Sequence, residues 1–184
     1  LDLCNELWRT DDDYGWSYLG GSSGVSESFA TWPAPRKGHC LHSLNGVLSL
    51  FGGQVEAASG PAVVADMWRW TSSDSWSLVG NAGAPWPDGR TLFASWTLAG
   101  TSSSVDALWM FGGLGAAETA LSDLWSYASS WERHGGVRPA LPVHGTLGQA
   151  SASSWPGARW GMASRAGAGA DGVTLFGGQG TDPH

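Results

Sequence analysis

The segment Val47-Leu48-Ser49-Leu50-Phe51-Gly52-Gly53 decides the reading of this chain because it returns twice. The copies are Ala107-Leu108-Trp109-Met110-Phe111-Gly112-Gly113 and Val173-Thr174-Leu175-Phe176-Gly177-Gly178. Short apolar runs rich in aromatic and β-branched residues, stopped by glycine, read as buried strands. Two successive glycines let the backbone take positive φ and turn where a Cβ would clash. They also leave room for a neighbour to pack on bare backbone. Phe51, Phe111 and Phe176 are expected to fill the space between successive sheets.

Other residues repeat in step with the glycines. Glu6-Leu7-Trp8, Asp66-Met67-Trp68 and Asp123-Leu124-Trp125 form a second series, and Trp16, Trp76 and Trp131 a third. Trp32-Pro33, Trp86-Pro87 and Trp155-Pro156 form a fourth, each followed by an arginine at 36, 90 or 159. The first glycines of the pairs fall at 52, 112 and 177, spaced by 60 and then 65 residues. A period of this size marks a repeat architecture, and the repeat governs every later assignment.

The four-part pattern resembles the kelch repeat, and the resemblance covers nearly the whole chain. A kelch unit has a Gly-Gly pair after an apolar strand, then an acidic-apolar-aromatic strand, then a closing Trp. The unit length is about 50 residues, so these copies carry long loops. The Pro156-Gly157-Ala158-Arg159 and Asp123-Leu124-Trp125 forms are similar to the galactose-oxidase-like kelch group. The fold implied is all-β: a kelch-type β-propeller of four-stranded antiparallel blades.

Divided on this pattern, residues 1–184 form a single propeller segment. Residues 1–21 supply an outer half-blade, 36–79 one blade, 90–134 another, and 155–178 an inner half-blade. The pieces amount to about three blades, whereas closed propellers have four to eight. The chain is therefore expected to be a fragment of a larger propeller of about six or seven blades, or to sit in a complex that covers its edges. Leu1 is not an initiator methionine, which agrees with a processed form or a fragment. Within the first blade, 36–44 reads as the inner strand, Asn45-Gly46 as a type I′ hairpin turn, and 54–64 as a loop. The connector 135–154 is the longest, and long connectors in compact domains are often functional.

Composition narrows the function classes. The 28 glycines are roughly double the average share, and with 13 Trp they describe a turn-rich β protein. The net charge is −7 and Lys37 is the only lysine. Without a basic patch to neutralise phosphates, nucleic-acid binding is set aside. No apolar run reaches the length of a transmembrane helix, and no signal peptide is visible. Cys4 and Cys40 make no zinc spacing, and both read as buried thiols on strands. Asp11-Asp12-Asp13 reads as a solvated turn rather than a calcium loop, for want of further oxygen ligands at fixed offsets.

The resemblance also suggests a binding site. In kelch propellers that capture peptides, arginines just before the inner strand line the central face and clamp partner carboxylates, a task suited to a planar fork. Those positions here are Arg36, Arg90 and Arg159. The alternative is that each arginine bonds loop carbonyls and braces its own blade. Tryptophans 8, 68 and 125 are expected to pack on the Gly-Gly turns. Trp32, Trp86 and Trp155 could instead form a sugar-binding surface. His39 and His42 lie three apart on a strand and cannot chelate together. Neither the copper motif of galactose oxidase nor the iron pattern of plant specifier proteins is present, and no catalytic, metal or cofactor residues are identified. The expected function is a non-enzymatic protein–protein interaction or scaffold module presenting its loops to a protein partner. The alternative is a sugar-binding or sugar-oxidising domain whose catalytic residues lie outside this chain. No compartment can be read from the residues.

Overall fold

The computed structural model describes residues 3–10, 12–21, 32–71, 75–100, 105–136, 146, 147, 149, 151, 153–167 and 172–180. The chain opens with an antiparallel pair, β1 (Leu7–Thr10) and β2 (Trp16–Gly20). Next come β3 (Arg36–Lys37), β4 (Cys40–Leu44), β5 (Val47–Phe51), β6 (Gln54–Ala57), β7 (Gly60–Val63), β8 (Met67–Thr71) and β9 (Ser75–Gly80). Of these, β4-β5-β8-β9 form a four-stranded antiparallel sheet, the first complete blade. The second is β10 (Ala94–Leu98), β11 (Ala107–Phe111), β12 (Leu124–Tyr127) and β13 (Trp131–Gly135), in that order. The chain ends with β14 (Arg159–Trp160), β15 (Ala163–Ala166), β16 (Val173–Phe176) and β17 (Gln179–Gly180), where β15 pairs with β16 and β14 with β17.

Asn45 and Gly46 both have positive φ, 51° and 78°, so the β4–β5 hairpin closes as a type I′ turn whose twist matches the strands. The expected inner strand 36–44 is broken in two: Gly38 turns left-handed at φ 64° and separates β3 from β4. The segment 54–64 is not a loop. It folds back as the hairpin β6–β7, which pairs with β3 in a small second sheet. Buried Val55 between the polar Gln54 and exposed Glu56 has the period-two alternation of a strand, and Pro61 is tolerated because β7 is an edge.

The blades stack face to face. Cys40, Leu44, Phe51 and Met67 of the first pack on Leu108, Met110, Tyr127 and Trp131 of the second. Leu7 of the opening pair packs with Leu50, Trp68 and Trp76, and Met162 and Leu175 at the end pack against Trp96 and Phe111. Inner strands lie side by side: His42 hydrogen-bonds Ser95 Oγ at 2.9 Å, and Ser164 Oγ donates to the Ser95 carbonyl at 3.2 Å. The third strand of each unit carries the same bulge just before its Trp, at Leu7/Trp8, Met67/Trp68 and Leu124/Trp125. Phe51 and Phe111 are buried between sheets as expected, but Phe176 is 82% exposed. Asp11, residues 22–31, 72–74 and 101–104, and most of 135–154 lie outside the described residues.

Candidate functional site

The arginines that end each Trp-Pro loop are turned inward. Arg36 forks onto Asp66 at 2.7 and 2.8 Å, and Arg90 onto Asp123 at 2.7 and 2.9 Å. In each pair the first guanidinium nitrogen also donates to a Gly-Gly turn, Gly52 O at 2.9 Å and Gly112 O at 3.0 Å. The Nε–H donates two residues back, to Ala34 O and Asp88 O. The indole N–H of Trp68 or Trp125 completes the carboxylate shell at 2.6 and 2.7 Å. Arg159 repeats the backbone part, with Nε–H on Gly157 O and an NH1 contact to Gly177 O. Arg36 and Arg90 are thus enclosed and internally satisfied, the bracing arrangement, and a partner's carboxylate cannot reach either without displacing Asp66 or Asp123. Burying a guanidinium is tolerable only with such pairing. Asp66 and Asp123 stand in the sequence as the acidic heads of a repeated series, but were not read there as the partners of Arg36 and Arg90.

Each arginine also links neighbouring units through its backbone. Gly53 N–H donates to Arg90 O and Gly113 N–H to Arg159 O, both at 2.8 Å. Gly52 and Gly112 are backed by the next unit's arginine carbonyl, Gly53 and Gly113 by His39 and Phe93 of their own unit, and Gly177 meets nothing within 4 Å; Trp8, Trp68 and Trp125 are not among their nearest neighbours. The tryptophans that sit on glycine are those of the Trp-Pro series. A Cβ on Gly20, Gly80 or Gly135 would lie 2.6, 3.0 or 2.7 Å from the ring of Trp32, Trp86 or Trp155. Their indole N–H groups are bonded to Asn5 O, Ala65 O and Ser122 O. These rings are wedges between units and do not form an open sugar platform.

What remains exposed at the Gly-Gly end is a rim. Gly38, Leu92 and Gly161 each stand two residues after a repeat arginine, and all three are left-handed, with φ of 64°, 55° and 68°. Leu92 N–H donates to Gly38 O and Gly161 N–H to Leu92 O, which strings the three units together. Leu92 carries a 46% exposed side chain where its two counterparts are glycine. The Gly38 link sets β3 with exposed Lys37 beside Leu92, β3 in turn pairs with the β6–β7 hairpin that carries exposed Glu56, and the Thr91–Leu114 bridge leads to the irregular turn Ala116–Glu118.

The titratable groups among the described residues give no second centre. Burial pushes the Cys40 thiol up to about 12, whereas Cys4 is exposed rather than buried, and neither forms a disulfide. Burial lowers the pKa of His42, and burial together with the Arg36 charge lowers that of His39. No group of three His, Cys, Asp or Glu side chains among the described residues is placed to hold a metal ion. No helix among them is long and apolar enough to cross a membrane.

No family model matches the chain, and no curated protein matches it. Among solved structures, that of YjhT, a kelch-repeat β-propeller protein, superposes with a TM-score of 0.52 at 16% identity, over 73% of this chain and 46% of that one. The fold is all-β with four-stranded antiparallel sheets and partially matches a kelch propeller. The chain spans about half the length of that protein, and at this identity the likeness concerns the fold alone.

Proposed function

We propose that the chain is a non-enzymatic interaction module that presents the rim at its Gly-Gly end to a protein partner. One observation carries this reading. The repeated polar residues are consumed in bracing, while the exposed rim carries what differs between repeats: Leu92 in place of glycine, and a hairpin in one blade where the next has a short turn. A rigid scaffold with variable loops at one end suits recognition. On this reading Arg36, Arg90 and Arg159 act by fixing the loops. Protein contact falls to Leu92, Lys37, Glu56 and the β6–β7 hairpin.

A photo-crosslinking residue placed at Leu92 or Glu56, with one at Val79 on the outer strand as comparison, tests the reading in native extract. Discrete protein adducts are expected from the rim positions only. Adducts from neither position, or equal labelling from Val79, would overturn it. Saturable binding of a sugar by the purified chain would instead favour the alternative, a sugar-binding or sugar-oxidising domain.

A further inference from the structure

The two complete blades are clasped together at the end opposite the rim. There the β4–β5 hairpin turns through Asn45-Gly46, and the second blade brings Asp106, the residue before β11, beside it. Asn45 N–H donates to Asp106 Oδ2, and Asp106 N–H donates back to Asn45 Oδ1, both at 3.1 Å. Gly100 N–H fills the other carboxylate oxygen at 3.0 Å, so the same side chain also holds the turn that enters its own blade. Asn45 and Gly46 are exposed to solvent.

Asn45 is the one asparagine in the sequence that glycine follows; Asn5 precedes Glu6 and Asn81 precedes Ala82. A side-chain amide before glycine is open to attack by the next backbone nitrogen, because glycine has no Cβ to shield that nitrogen and leaves its backbone free to move. The Gly46 nitrogen bonds to Asn45 Cγ, the amide nitrogen leaves as ammonia, and a five-membered imide forms. Water then opens the imide at one carbonyl or the other, leaving aspartate or isoaspartate. One water is consumed and one ammonia released, with no change of oxidation state. No neighbour stands in the way, since even a Cβ built on Gly46 would meet nothing within 4 Å.

The folded turn opposes this reaction. Closing the ring requires the Asn45 Cβ and the Gly46 nitrogen to eclipse across the bond between them. Asn45 is left-handed, with φ 51°. A left-handed residue has ψ of about +30 to +60°, which for an L side chain sets Cβ nearly opposite the next nitrogen. The Asp106 N–H also pins the side-chain oxygen, and the Asp106 carboxylate pins the Asn45 N–H. Attack therefore needs the Asn45–Gly46 peptide to flip and the side chain to leave the clasp. Either product then opposes its return. Isoaspartate runs the main chain through Cβ and lengthens a two-residue turn whose geometry sets the hairpin, and aspartate places a second negative charge beside Asp106. We infer that Asn45 is a deamidation site whose rate is governed by the Asp106 clasp, and that its conversion is a one-way release of the clasp between the two blades. The site lies away from the rim and does not depend on the role of the rim.

Peptide mapping by mass spectrometry, on the purified chain held at neutral pH, reads amide-to-acid conversion at Asn45, and enzymatic methylation of isoaspartyl groups reads that branch. Slow conversion is expected at Asn45 in the folded chain, and none at Asn5 or Asn81 over the same period. Asp106→Ala should speed conversion at Asn45 by about tenfold, in keeping with the loss of two hydrogen bonds, and the chain unfolded in urea should convert faster still. Should Asp106→Ala fail to fold, Asp106→Asn keeps the side-chain size but not the charge, and a smaller rise is expected from it. Asn45→Asp, which reproduces the aspartate product, should speed amide hydrogen exchange at Asp106 and Gly100. Conversion confined to the unfolded chain, a rate at Asn45 that the Asp106 variants leave unchanged, or unaltered exchange in Asn45→Asp would overturn the inference.

Discussion

Arg90 and Asp123 face each other fork to fork, at 2.7 and 2.9 Å, with the arginine fully enclosed and the Trp125 indole on the same carboxylate. The arginine precedes β10 and the aspartate precedes β12, so the pair ties the entry of the first strand to that of the third. Removing one partner strands the other charge in the interior. Asp123→Ala should therefore cost about 3–5 kcal/mol, read as a fall in the urea midpoint. A loss below about 1 kcal/mol would place the pair among surface ion pairs.

The same carboxyl sets a pH dependence. Burial alone would raise its pKa, but the hydrogen bonds and charge of Arg90, with the Trp125 indole, hold it below the usual carboxylate range. A group with a depressed folded-state pKa contributes stability that is present above its unfolded value, about 3.9, and is lost as pH falls through the folded value. Wild type should lose stability with acid below about pH 4. Asp123→Asn should show a shallower acid limb, and identical limbs in parallel urea titrations would refute the assignment.

The Gly-Gly turns give a paired test. Gly112 has φ 66°, and a Cβ there would stand 2.6 Å from the carbonyl of Arg159. Gly46, at φ 78°, meets nothing within 4 Å. Both alanine variants incur the left-handed cost of about 1–2 kcal/mol. Gly112→Ala should lose roughly 1 kcal/mol or more beyond that, because the obstacle is backbone of the next unit. Equal losses for the two variants would show that the clash is relieved at no cost.

Much of this fold was legible because the repeat aligns positions that a single segment could not interpret. Three in-phase Phe-Gly-Gly runs located the blades, and Asn45-Gly46 located a turn. The misreadings have physical causes. Segment 54–64 is rich in small residues and carries Pro61, so its alternation was masked, yet it folds as an edge hairpin. The tryptophan series were paired with the wrong glycines because a ring reaches across units, and sequence spacing carries no direction. The arginines were legible as a repeat feature, and bracing through loop carbonyls was one of the two readings open for them. Their pairing with Asp66 and Asp123 was not, because those partners lie about thirty residues away.

The thiols offer a direct check of burial. Cys40 lies on the inner strand, enclosed by the second blade, with its thiol pushed up to about 12, so almost none is thiolate at neutral pH. Cys4 is exposed. With an aromatic disulfide reagent the native chain should release one equivalent rapidly and the second only on unfolding. Two fast equivalents would mean that the inner strand is open to solvent.

Leu92 is the position where one unit breaks the rule of the other two. Its φ of 55° is a conformation that a leucine adopts only under strain, and Gly38 and Gly161 hold the same place without it. Leu92→Gly removes about 1–2 kcal/mol of left-handed strain and gives back about 0.5–1 kcal/mol through the freer unfolded chain. The substitution should therefore be neutral or stabilising by up to about 1.5 kcal/mol, measured as a rise in the urea midpoint at constant slope. Leu92→Ala keeps the strain and should show no such gain. If Leu92→Gly gains nothing in stability while abolishing partner adducts at Glu56, the leucine is kept for contact alone. A loss of more than about 1 kcal/mol would instead make Leu92 a packing residue, and would remove it from the proposed rim.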